Sequence, residues 1–230
     1  MGRYEKAWQV ARQRIERAEK RAQRARGSVR LLAVSKTFPA GAIRDLHGSG
    51  QRAFGENYVQ EASAKREALA DLDIEWHLIG PLQSNKTRLA AACFDWIESV
   101  DRMQIADRLA AARGPGKPLD VLVQVNASGE ATKHGVAPSG ALALALHVAG
   151  LPALRLRGIM GIPEATDDDV RLRDQFRQLK ACYDACTEQG LAVDTLSMGM
   201  SSDLELAIAE GATEVRIGTA IFGVRDRMGE

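Results

Sequence analysis

Apolar residues return every three or four positions at the start of the chain, at Trp8, Ala11, Ile15, Ala18, Ala22 and Ala25, and Arg12, Arg14, Arg17, Lys20, Arg21 and Arg24 fall between them. This spacing predicts an amphipathic helix over residues 1–26, with an apolar seam and a basic face, ended by Gly27. Beyond it the pattern changes. Short runs rich in β-branched and apolar residues, at 31–35, 52–55, 75–79, 96–100, 120–125, 155–160, 195–198 and 214–217, read as strands. Helical patterns separate them at 40–47, 58–70, 103–112, 139–149, 168–189 and 203–209, with glycine and proline at the joins. Eight strand–helix units in 230 residues predict an α/β protein made of a single (β/α)8 TIM barrel with an extra N-terminal helix, one domain over 1–230. A doubly wound open sheet is the alternative reading of the same alternation.

Composition narrows the function classes. At 45% hydrophobic content the chain has material for a substantial core, and its formal net charge of +1 gives no overall pull toward nucleic acid or an anionic membrane. The basic helix face is therefore read as the solvated side of a packing helix, in preference to a nucleic-acid patch. No apolar run approaches the ~18 residues of a spanning helix, and the first residues are charged, so a cytoplasmic protein is expected. Three cysteines, an odd number, argue against a disulfide framework, and Cys182 and Cys186 lack the partner spacing of a zinc site. The four histidines are scattered along the chain, so no metal is expected. The loop Gly114-Pro115-Gly116-Lys117-Pro118 lacks the spacing of a phosphate loop.

The candidate chemistry lies where strands hand over to loops, the end of a barrel at which active sites form. Lys36 closes the first apolar run, Leu31-Leu32-Ala33-Val34-Ser35-Lys36. A lysine amine has a reference pKa of ~10.4 and becomes a nucleophile near neutrality only when desolvated or placed beside another cation. Inside a barrel mouth, Lys36 is a candidate Schiff-base former. The seventh strand runs into Ser197-Met198-Gly199-Met200-Ser201-Ser202-Asp203-Leu204-Glu205, where Ser202 and Glu205 have capping-box spacing. The eighth gives Val215-Arg216-Ile217-Gly218-Thr219-Ala220-Ile221-Phe222-Gly223, a second glycine turn followed by a hydroxyl. Loops after strands seven and eight often hold phosphate in this fold. If Val215 and Ile217 pack against outer helices, strand alternation turns Arg216 into the barrel, where a buried guanidinium requires an acceptor such as a ring nitrogen or a phosphate.

These segments, together with Phe54-Gly55-Glu56-Asn57-Tyr58, Trp76-His77-Leu78-Ile79-Gly80-Pro81-Leu82-Gln83-Ser84-Asn85-Lys86, Gly158-Ile159-Met160 and the stretch from Asn126 to Gly135, resemble the pyridoxal phosphate homeostasis protein family. That family's barrel is similar to the barrel domain of alanine racemase, a fold type III protein of pyridoxal 5'-phosphate (PLP), without its second, β-rich domain. The resemblance implies that Lys36 carries PLP as a Schiff base and that Ser201, Gly218 and Thr219 bind its phosphate with help from the backbone of Ser202. It further implies that Arg216 lies near the pyridine ring and that Asn57, His77 and Asn85 line the mouth. An arginine at the ring nitrogen keeps that nitrogen unprotonated and weakens the electron sink. No motif places Tyr4, Tyr58 or Tyr183 as a second acid/base. A carrier acting in vitamin B6 homeostasis without turnover is the expectation, with PLP-dependent apo-enzymes as candidate recipients and a monomer as the assembly. A fold type III enzyme such as an amino-acid racemase is the main alternative, and a lysine aldolase a further one.

Overall fold

In the computed structural model, which describes residues 2–130 and 132–223, eight parallel strands close into a barrel in chain order. The first half of the chain gives α1 (Glu5–Arg21), β1 (Arg30–Val34), α2 (Ala40–Gly48), β2 (Ala53–Glu56), α3 (Val59–Ala68), β3 (Glu75–Leu78), a 3-10 turn (Ser84–Lys86), α4 (Thr87–Cys93), β4 (Trp96–Val100) and α5 (Met103–Arg113). The second half gives β5 (Leu119–Val125), α6 (Pro138–Ala149), β6 (Leu154–Gly161), α7 (Asp169–Glu188), β7 (Thr195–Ser197), α8 (Leu204–Ala209), β8 (Glu214–Ile217) and α9 (Thr219–Phe222). Pairing of Leu31 with Val215 and of Ala33 with Ile217 joins the last strand to the first, which rules out the open sheet. Met1, Ala131 and residues 224–230, part of the expected 1–230 span, lie outside the described residues. Among the described residues no helix is long and apolar enough to cross a membrane.

Every predicted strand is present within a residue or two of its expected ends, but α4 and α9 have no counterpart in the sequence pattern. Both are short, and too few of their residues repeat to mark a helical period. The N-terminal helix also ends earlier than expected. It stops at Arg21, and Gln23, with φ of 55°, is the left-handed residue beyond the cap. The Arg24 amide bonds back to the Glu19 carbonyl and the Gln23 amide to Lys20, a Schellman closure that Gly27 has no part in. Glu19 is itself buried and accepts from the amides of Gly27 and Val29, holding the turn into β1.

Two different interiors result. Outside the barrel wall, Leu31 and Ala33 of β1, Phe54 of β2, Val121 and Val123 of β5 and Val215 and Ile217 of β8 pack under the helices in one continuous core, joined by Trp8, Ala11, Ile15 and Ala18 of α1. Burying a side chain such as Ile15 contributes about 1.5–3 kcal/mol. Inside the wall the apolar part is small, with Trp96, Leu122 and Met160 packed together against Ile162, and Leu32 and Val34 of β1 on the same inward side. The remainder is polar, with His77, Glu98, Ser197, Glu214 and Arg216 all buried. Barrels of this kind are more usually filled by layers of branched apolar side chains, so this centre requires its own account.

Candidate cofactor site

A cavity of about 570 Å³ opens at the C-terminal ends of the strands. Lys36 reaches it because β1 alternates: Val34 and Lys36 face the cavity, whereas Ser35 is buried on the side of α3. The backbone then turns sharply. Thr37 has φ of 69°, a left-handed conformation that costs a β-branched residue about 1–2 kcal/mol. The neighbouring wall is made by Ser201 and Ser202 after β7 and by Gly218 and Thr219 after β8, the strand paired with β1, and Arg216 lines it as well. Gly199, at φ of 94°, makes the turn toward Ser201, where a Cβ would come within 2.5 Å of Ala207 Cβ. Asn57 stands at the rim after β2, and a Cβ at Gly80 would lie 2.3 Å from the Asn57 carbonyl oxygen, so only glycine lets the two loops meet there.

The capping box expected of Ser202 and Glu205 is not formed. Asp203 occupies the N-cap position of α8 and accepts from the Met200 amide at 2.5 Å, while Glu205 turns away to bind Arg14 of α1 through both carboxylate oxygens. The same guanidinium donates to the Ser201 carbonyl at 3.0 Å. The N-terminal helix therefore braces the Ser201 loop, a function that its helical period alone could not disclose. Arg24, in the turn just beyond the helix, donates to the Ala212 carbonyl, so a second member of the predicted basic face is also used in packing.

Arg216 points into the barrel as strand alternation predicts and is only 3% exposed. It donates to Ser197 Oγ and to the Gly161 carbonyl, each at 2.7 Å. Burial pulls its pKa down, against the opposing pull of Glu98 and Glu214. Ser197 passes the contact on by donating to Glu98 Oε2 at 2.7 Å, and Glu98 Oε1 lies 2.7 Å from His77 Nδ1. Burial would raise the Glu98 pKa, but the hydrogen bond and charge of His77 hold it below the usual carboxylate value. Glu214, beside Glu98 in the same interior, is pushed up by burial and by that neighbour's charge.

His77 is where the structure departs from the expected site. It lies beneath the cavity, fully buried and stacked on Trp96, with none of its surface on the cavity wall. The reason is register: residue 77 falls one pleat below Ile79, whose side chain takes the wall position just after β3. Burial lowers the imidazole pKa, but hydrogen bonds to Glu75 and Glu98 outweigh it and push it up to about 9. Nε2 lies 3.1 Å from Glu75 Oε1 and 2.7 Å from Arg30 Nη2, so the protonated ring donates to the carboxylate and the neutral ring accepts from the guanidinium. Asn85 is likewise absent from the wall, exposed on the 3-10 turn.

Donor atoms of His77, Glu98 and Glu214 lie within 4.8 Å of one another, a spacing suited to a metal ion. Arg30 is bonded to both His77 and Glu214, however, so a guanidinium already supplies the positive charge there. The scattered histidines give no hint of this cluster along the chain, and Glu98 escapes the sequence reading as well. A glutamate at an inward position of Trp96-Ile97-Glu98-Ser99-Val100 is the signal that could have found it. Gln124, Ile162 and Met200 on the cavity wall carry no signal of their own.

Residues 10–226 match the family described as alanine racemase, N-terminal domain. The pyridoxal phosphate homeostasis protein of Pseudomonas aeruginosa is 55% identical over 214 residues, covering 93% of this chain and 92% of its own. That of Escherichia coli (strain K12) is 49% identical over 220 residues, with 94% of each chain covered. Among solved structures, PipY of Synechococcus elongatus with PLP bound is 40% identical, with a TM-score of 0.79 over 91% of this chain and 99% of its own. An alanine racemase from Clostridium difficile, 14% identical, shares the fold with a TM-score of 0.73 over 94% of this chain and 57% of the enzyme. Matches of this length and identity, on a barrel that brings Lys36 and both glycine-turn loops to one mouth, mean that the chain belongs to the pyridoxal phosphate homeostasis protein family.

Proposed function

We propose that this protein binds PLP in the cavity at the C-terminal mouth, with Lys36 as its covalent tether, and acts in intracellular vitamin B6 homeostasis by holding and releasing the cofactor. The observation that carries the reading is the donor set. An amine at Lys36 shares one cavity with the hydroxyls of Ser201, Ser202 and Thr219, and no carboxylate stands among the described residues lining it. Such a wall suits a phosphate dianion, with the close-approach turn at Gly218 beside it. When bound, the cofactor supplies an aldehyde that captures amines and a pyridine ring that can accept electrons. Arg216 is the charged group on the ring side, and a guanidinium cannot hand a proton to a ring nitrogen as a carboxylic acid can.

That arrangement favours retention over turnover. Tyr4 packs on Phe222, Tyr183 donates to the Val193 carbonyl, and Tyr58 is exposed outside the cavity, so none of the three stands opposite Lys36 as an acid/base. Lys133 and His134 do reach the wall, and a racemase-like side activity would depend on them. We read the protein as one cytosolic barrel domain, monomeric, with PLP-dependent apo-enzymes as recipients, and the three cysteines as reduced thiols.

The test is borohydride reduction of the PLP-loaded protein followed by mass mapping. The expected result is a pyridoxyl group on Lys36 and loss of the long-wavelength absorption in Lys36→Ala. Label confined to another lysine would overturn the assignment, and robust racemisation of L-alanine by the loaded protein would overturn the non-enzymatic reading.

A further inference from the structure

Behind Lys36, outside the barrel wall, lies an ion cluster that neither the cavity nor the polar interior uses. Glu56 is fully buried and Lys65 nearly so, an arrangement that is costly unless each charge is paired. Lys65, on the inner face of α3, donates from Nζ to Glu56 Oε1 at 2.7 Å, to Glu61 Oε1 at 2.7 Å and to the Ser35 carbonyl at 2.9 Å. The Ser35 hydroxyl donates to Glu56 Oε1 at 2.6 Å. On the other side of the lysine, the Thr37 amide donates to Glu61 Oε1 at 2.5 Å. Residues 35 and 37 are thus both held from outside, by one connected set of three charged side chains. The residue between them projects the opposite way, into the cavity.

We propose that Glu56, Glu61 and Lys65 are positioning residues that clamp the backbone on both sides of Lys36, fixing where its amine enters the cavity. Thr37 shows why a clamp is required. Its left-handed backbone is one a threonine adopts only under constraint, and the Glu61 carboxylate bonded to its amide supplies that constraint from α3. Relaxation of Thr37 to an ordinary conformation would rotate the chain immediately after Lys36 and swing the end of β1. Glu56, Glu61 and Lys65 are not among the described residues lining the cavity, so the effect proposed for them reaches the cofactor through the lysine's position. Its significance for PLP rests on the function proposed above, but the clamp itself is a statement about Lys36.

The experiment uses the full chain without cofactor and a small reagent, formaldehyde with cyanoborohydride, with modification of Lys36 and Lys133 followed by peptide mass. Lys133 shares the cavity wall but lies on the loop after β5, away from the clamp, and serves as the internal reference. Glu61→Ala is expected to change the rate of Lys36 labelling several-fold relative to Lys133, because a released backbone moves the amine to a different exposure within the mouth. Glu61→Gln, which keeps an oxygen acceptor for the Thr37 amide, is expected to return the rate most of the way to that of wild type, and Lys65→Met to behave like Glu61→Ala where it folds. Unchanged Lys36 labelling in Glu61→Ala, or a parallel change at Lys133, would overturn the clamp. PLP trapping on the same proteins separates the two readings. Equal trapping on Lys36 in wild type and Glu61→Ala defeats the clamp and leaves the cofactor assignment standing. Failure of wild type to take PLP on Lys36, with formaldehyde labelling still sensitive to Glu61, defeats the cofactor assignment and leaves the clamp.

Discussion

Beneath the cavity floor, Arg30 and His77 meet the carboxylates of Glu75, Glu98 and Glu214, and Arg216 reaches Glu98 through Ser197. At the mouth above them, Lys36, Lys133 and Arg216 reach a wall that no carboxylate shares among the described residues. Arg216 belongs to both regions and joins them through Ser197. The contrast teaches how to read charge in this barrel. Compensated charge below is scaffold, and it holds one guanidinium at a fixed place in the floor. The cationic and hydroxyl groups lining the wall above fit the anion seat proposed for that mouth.

If that division is right, the largest loss of stability comes from the lower region. Glu98→Ala leaves the buried His77 ring and the Ser197 hydroxyl without their shared carboxylate, and unfolding in urea is expected to show a loss of about 3–5 kcal/mol, the cost of breaking a buried ion pair. Lys133→Ala at the mouth removes a pair with Glu130 whose members are both solvent-accessible, and is expected to change stability by no more than ~1 kcal/mol. Equal losses in the two variants would erase the distinction. The next effect is a pH dependence. The folded pKa of His77, about 9, lies above the ordinary 6.5, so its contribution is fully present below pH 6.5 and fades as pH rises through 9. Unfolding free energy measured from pH 6 to 10 is expected to fall by about 3 kcal/mol from this group, because each tenfold difference in proton affinity between the folded and unfolded chain is worth about 1.4 kcal/mol. His77→Gln should flatten that slope. A wild-type slope that survives the substitution would assign the titration elsewhere.

The upper region is the more legible of the two in the sequence, for a physical reason. Loops that bind an anion need glycines for close approach and hydroxyls in fixed order, so Gly199 to Ser202 and Gly218-Thr219 announce themselves as local strings. Strand alternation is enough to turn Arg216 inward. The lower region depends on which strands face each other. Glu98 and Ser197 meet at 2.7 Å although 99 residues apart, and no local pattern encodes that pairing. His77 is misplaced by sequence reasoning for the same reason: its motif is visible, but its level within the barrel is set by register against β2 and β4. Glu56 and Lys65 lie in plain view, nine residues apart, yet their partner Ser35 comes from another strand.

The smaller effects test the upper region by ligand affinity. Arg216→Lys keeps the charge but loses the fork that spans Ser197 and Gly161, and PLP binding followed by absorbance is expected to weaken by about 10- to 100-fold, with a shifted spectrum. Unaltered affinity and spectrum would remove Arg216 from the ring side. Ser201→Ala should do least. One hydroxyl contributes about 0.5–1.5 kcal/mol, so PLP affinity is expected to fall by roughly 2- to 10-fold. The discriminating comparison is with pyridoxal, which carries the same aldehyde and ring but no phosphate. If Ser201 belongs to an anion seat, its loss weakens PLP and leaves pyridoxal unchanged, and inorganic phosphate competes less well against PLP in the variant than in wild type. An equal loss for both ligands would place Ser201 at the ring or the lysine instead. Because Arg14 holds the Ser201 carbonyl, Arg14→Ala should reproduce the phosphate-selective loss in weaker form, which would tie the N-terminal helix to the receptor at the mouth.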